Sequence, residues 1–96
     1  MLVQVEMTVD VPHGIDHDRF EILKREEREI AQMLQTQGIW RHLWRHVGLY
    51  ANTSIFSVES LDQLHEILIT LPLYPYLRLT ITPLCRHPSS IHDDDR

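Results

Sequence analysis

Leu2-Val3-Gln4-Val5-Glu6-Met7-Thr8-Val9-Asp10 and, after a short break, residues 16–37 (DHDRFEILKREEREIAQMLQTQ) together decide the fold of this chain. In the first stretch Val3, Val5, Met7 and Val9 alternate with Gln4, Glu6 and Thr8, the pattern of a strand with one buried face. Pro12, Gly14 and Asp16 break it. From there the apolar residues recur at helical spacing, with Phe20, Leu23, Ile30, Ala31 and Leu34 on one stripe. Asp16 or Asp18 can cap this helix, and Gly38 supplies a left-handed stop.

Working outward, Ile39 to Val47 and Leu49 to Val58 are extended stretches divided by Gly48, which predicts a hairpin or a bulged pair. Ser60 is a good N-cap for a second helix, with Leu61, Leu64, Leu68 and Leu71 on one stripe and Pro72 ending it. Leu77 to Thr82 alternates again as a fourth strand. The order β-α-β-β-α-β predicts a ferredoxin-like α+β fold, an antiparallel sheet with two helices on one face. Ninety-six residues suffice for one domain, expected over residues 1–84, with 85–96 as a C-terminal tail.

The net charge of −5 argues against non-specific nucleic-acid binding, which needs surplus lysine and arginine. No apolar run approaches the roughly 18 residues of a membrane span. The single cysteine, Cys85, cannot close an intrachain disulfide and fits a reducing, cytoplasmic setting. Charge is segregated: Arg41, Arg45 and adjacent histidines are basic, while Glu21 to Glu29 and Asp93-Asp94-Asp95 are largely acidic. That suits a small anionic substrate or contacts between subunits.

Glu27 breaks the pattern of the long helix. It projects near the middle of the apolar stripe, although Arg25, Glu26, Arg28 and Glu29 already supply a wet face. A glutamate aimed at a core must be paired, protonated or used. Lys24 or an arginine on a strand could neutralise it; otherwise desolvation raises its pKa towards the range of a general base.

Strict alternation over Trp40-Arg41-His42-Leu43-Trp44-Arg45-His46 puts the tryptophans and histidines on one strand face and Arg41, Leu43 and Arg45 on the other. Trp44 suits a subunit contact and Trp40 the wall of a pocket. The seven histidines show no recognised metal-ligand spacing, and one cysteine is too few for a closed zinc site. There is no nucleophile elbow and no Gly-rich phosphate loop. Acid–base chemistry at Glu27 remains, with Tyr50 and Asn52 as hydrogen-bonding candidates. Those two share a strand face with Ser54, a polar row that is ordinarily a solvent side.

Four segments carry a resemblance. Gly38-x-Trp40-Arg41-His42-Leu43-Trp44-Arg45, Tyr50-Ala51-Asn52, Leu71-Pro72-Leu73 with Pro75-Tyr76, and Leu84-Cys85-Arg86-His87-Pro88-Ser89-Ser90-Ile91-His92 resemble muconolactone isomerases. The likeness covers nearly the whole length and is least close from Asp10 to Ile22. It implies a cofactor-free, metal-free enzyme of the β-ketoadipate route of aromatic catabolism, assembled as a ring-shaped homodecamer. Such an enzyme converts muconolactone into 3-oxoadipate enol-lactone by moving one proton and the ring double bond. The family's active-site glutamate falls at Glu27, with Lys24 close by. Tyr50, Asn52, Trp40, Arg41 and Arg86 are the expected substrate-binding residues, with Lys24, Arg41 or a neighbouring tail's Arg86 as the cation for the substrate carboxylate. Two other readings compete: a chloromuconolactone dehalogenase of the same fold, and a non-catalytic ferredoxin-like oligomerisation or ligand-sensing domain.

Overall fold

Strands β1 (Leu2–Val9), β2 (Trp40–Arg45), β3 (Ala51–Ser57) and β4 (Leu77–Leu84) form one sheet in the order β2-β3-β1-β4, every neighbouring pair antiparallel. These come from a computed structural model that describes residues 1–95. Helices α1 (His17–Thr36) and α2 (Leu61–Ile69) sit in the chain where the periodicity puts them. The split β-α-β-β-α-β arrangement, with both helices on one face, is the ferredoxin-like fold predicted above. Among the described residues no helix is long and apolar enough to cross a membrane.

The alternation in β1 becomes the centre of the core. Val3, Val5 and Met7 are essentially inaccessible and pair across β3 with Phe56, Ser54 and Asn52. Ala31 and Leu34 of α1 and Leu64 and Leu68 of α2 join them in one apolar cluster. Asp16 caps α1 by accepting a hydrogen bond from the Arg19 amide at 3.1 Å. Gly38, at φ 78°, turns the chain out of the helix in a conformation that a side chain would strain. Ser60 caps α2 in the same way through the Gln63 amide at 3.0 Å.

Several details differ from the sequence expectation. Leu61 is nearly half exposed because it opens α2 on its solvent side, whereas Leu71, beyond the helix end, is 2% exposed. Strand β4 runs on through Pro83 to Leu84; a proline is tolerated there because β4 is an edge.

The most consequential difference is a bulge in β2. Trp40 pairs with Phe56 but His42 pairs with Ile55, so Arg41 is an extra residue with no partner on β3. Alternation is thereby reset within the strand. Trp40 faces the helices, 2% exposed and against the Phe56 ring with centroids 4.8 Å apart. His42 and Trp44 face away from the helices and stack on each other at 4.9 Å, with Trp44 55% exposed. The two tryptophans therefore lie on opposite faces of the sheet, not side by side.

Beyond β4, residues 85–95 form neither helix nor strand. Arg86 organises this tail by donating to the carbonyls of Ser90 and His92 and to the Asp93 carboxylate. Arg96, the last residue of the predicted tail, lies outside the described residues.

Candidate active site

A cavity of about 460 Å³ opens between α1 and the β2–β3 end of the sheet, within the roughly 300–1,000 Å³ usual for small-molecule sites. Glu27 and Lys24 line its helical wall, Trp40, Leu43, Arg45, Tyr50 and Asn52 its sheet wall, and Leu73 closes one side.

Glu27 is half-buried and makes no ion pair with Lys24 or with any strand arginine among the described residues. Its Oε1 accepts a hydrogen bond from the Leu73 amide at 3.0 Å. That amide is held in place because Leu71 and Leu73, on either side of Pro72, are both buried. Loss of hydration pushes the Glu27 carboxyl above the ordinary glutamate range, and the Leu73 hydrogen bond pulls against this. The ion-pair reading of Glu27 is thus not what the chain adopts. Lys24 instead pairs with Glu21, Nζ to Oε1 at 2.6 Å, and lies 5.4 Å from the centroid of the Phe20 ring.

The polar row also departs from expectation: its two β3 residues, Asn52 and Ser54, face the helices with Met7 and Val5. Ser54 is fully buried and donates its hydroxyl to Asn52 Oδ1 at 2.8 Å. With that oxygen engaged, the Asn52 amide has its N–H groups left to offer the cavity. Tyr50 stands in the bend just before β3. Partial burial raises its phenol pKa, Lys24 opposes the rise, Glu27 adds to it and Arg45 opposes it. Side chains from both walls therefore bear on one hydroxyl. Trp40 contributes an indole face, and its Nε1 is buried without a hydrogen-bond partner among the described residues.

Two expected residues are not brought here. Arg41 leaves the cavity wall as the bulged residue, its Nη2 lying 3.8 Å from Asp95 Oδ1 in the tail. Arg86 of the same chain is committed to the tail. Two unforeseen residues take part: Arg45, which the bulge leaves facing the cavity without Arg41, and the Leu73 amide. Among the described residues no three histidine, cysteine or carboxylate side chains group so as to hold a metal ion.

A half-desolvated carboxylate facing donors across a cavity is the equipment for moving a proton on a small polar molecule. Comparison with known proteins gives the family. The sequence profile of the muconolactone delta-isomerase family matches residues 1–90. The chain belongs to this family. A muconolactone delta-isomerase from Pseudomonas aeruginosa is 55% identical over the full length of both chains, and one from Acinetobacter lwoffii is 54% identical, again over the whole of both. A crystal structure of muconolactone isomerase superposes with a TM-score of 0.94 at 53% identity, covering all of both chains.

Proposed function

We propose that this chain isomerises muconolactone to 3-oxoadipate enol-lactone, with Glu27 as the group that carries the proton. The observation that carries this reading is a carboxylate on the cavity wall that is half-buried, raised in pKa and paired with no cation among the described residues. Glu27 removes the γ proton of the unsaturated lactone. The C–H electron pair passes into the ring, giving a dienolate with its charge on the lactone carbonyl oxygen. The Asn52 amide, with Tyr50 beside it, donates hydrogen bonds to that oxygen. The same carboxyl then returns the proton to the α carbon, leaving the double bond between the β and γ carbons. Lys24 holds Glu21 and keeps positive potential along the helical wall.

The test is to mix the protein with muconolactone and with its 5-chloro analogue, following ultraviolet absorbance and chloride release. Rapid turnover of muconolactone supports the isomerase; turnover confined to the chlorinated compound, with chloride released, would make it a dehalogenase. No turnover of either would leave a binding domain. The pH profile gives a second check. Because Glu27 must be ionised to accept a proton, kcat/KM should fall on the acid side with a midpoint above 4.5, the ordinary glutamate value. An acid limb at or below that value would contradict a desolvated base.

The same reading includes a cytoplasmic homo-oligomer, for which the family resemblance implies ten subunits. One chain alone leaves Trp44, Val47, Leu49 and Ile91 between 55% and 98% exposed, apolar surface that an assembly would cover. Residues 1–84 are the catalytic unit, and the tail from 85 to 96 reaches a neighbouring subunit. Deleting residues 85–96 should lower both assembly size and activity, while the far-ultraviolet circular dichroism of the core persists. A truncated protein of full oligomeric size and unchanged KM would show the tail to be dispensable.

A further inference from the structure

The isomerase reading leaves open what holds the carboxymethyl arm of the substrate. That arm is an anion in a cavity whose base must itself become an anion, so it has to be kept away from Glu27 by a cation on another wall. Most of the basic side chains near the site are placed for something else. Lys24 is on the Glu27 wall and paired with Glu21. Arg41 and Arg86 lie with the tail, and Arg78 pairs with Asp10 at 2.7 Å. Arg25 and Arg28 touch the cavity, but they stand about 160° and 100° round the helix from Glu27, on the rim of its own wall.

Arg45 differs in each respect. It lines the cavity from the sheet side and forms no ion pair among the described residues. The bulge at Arg41 puts it directly opposite Asn52 on β3, where paired side chains start only about 5 Å apart. Arg45 and Asn52 thus make one contiguous patch of N–H donors facing the helix that carries Glu27.

Muconolactone has a matching distribution of acceptors. Its carbonyl carbon and the carbon bearing the carboxymethyl arm are both bonded to the ring oxygen, so the carbonyl and the arm leave the ring along the same edge. A ring with that edge against the patch presents a face, and the γ hydrogen on it, to Glu27.

We infer that Arg45 binds the substrate carboxylate while Asn52 takes the lactone carbonyl, which makes Arg45 the residue that selects acidic lactones. The inference rests on the isomerase reading, and binding measurements separate the two. The probes are the saturated lactone 5-oxotetrahydrofuran-2-acetate, which has no double bond to move, and its methyl ester. Calorimetry on the full chain should show the acid binding wild type more tightly than the ester. Arg45→Gln should weaken the acid by about 10- to 100-fold, the range for a hydrogen-bonded charge, and leave the ester within about 2-fold. Arg45→Lys should recover part of the loss, since it keeps the charge without the two-pronged donor. In turnover assays the Gln variant should raise KM for muconolactone far more than it lowers kcat. Arg45→Gln retaining the full preference for the acid would overturn the inference, as would equal weakening of acid and ester or the loss falling on Arg41→Gln instead. If no variant or wild type turns over muconolactone while the acid preference still vanishes in Arg45→Gln, the isomerase reading fails and the anion site stands.

Discussion

Glu27→Gln should fold and assemble like the wild type and lose isomerase turnover by on the order of 10³-fold. Glutamine keeps the shape and can accept the Leu73 N–H through its amide oxygen, so the wall of the cavity is preserved. It cannot take a proton from carbon and give it back. Stability should move the other way. The folded-state pKa of Glu27 is raised by desolvation above its ordinary value of 4.5, so between those two values the native state binds more protons than the unfolded chain. Wild-type stability therefore declines as pH rises through that window, because the ionised form is the one that burial disfavours. The glutamine variant has no such loss. Its Tm should match the wild type in acid and equal or exceed it at neutral pH. Near-normal turnover in steady-state assays would remove Glu27 from the chemistry.

Asn52→Ala is the second large effect, a fall of about 10²- to 10³-fold in kcat, the usual result of deleting one donor to a developing oxyanion. KM should change much less, because the charge on the lactone oxygen grows only as the γ proton leaves. The variant also leaves the buried Ser54 hydroxyl without its acceptor, at a cost of about 1–3 kcal/mol. A thermal melt recorded alongside the kinetics separates that destabilisation from the catalytic loss. A higher KM at unchanged kcat would make Asn52 a ground-state binder only.

How far these residues were legible in the sequence depended on whether their signal was periodic. Glu27 stood out because α1 keeps one register for 20 residues, long enough for a single carboxylate on the apolar stripe to count as an anomaly. The order of strands and helices was equally clear, since β1, α1 and α2 each carry an uninterrupted pattern. In β2 the opposite held. One inserted residue in a strand of six resets alternation, and nothing in Trp40-Arg41-His42 marks which residue is the extra one. Arg41 and Arg45 therefore read as equivalent, and Arg41, the one expected to bind substrate, is the one that the bulge takes out of the cavity. Asn52 and Ser54 on β3 resembled a wet face because polarity alone does not reveal that they share the sheet face of the helices. The Leu73 amide was invisible for a simpler reason: a backbone donor has no side chain to announce it. Only the buried leucines on either side of Pro72 hint that the loop is fixed.

The chemistry on one wall of the cavity has a stereochemical consequence. With one carboxyl both removing and returning the proton, the hydrogen must leave and re-enter on the same face of the ring. Muconolactone bearing deuterium at the γ carbon, turned over once in ordinary water, tests that single carrier most directly by magnetic resonance of the product. The expected result is a primary isotope effect on the chemical step and part of the deuterium retained at the α carbon, carried there by the one carboxyl. A product whose added hydrogen comes wholly from water would require a second acid and would contradict Glu27 as the sole carrier.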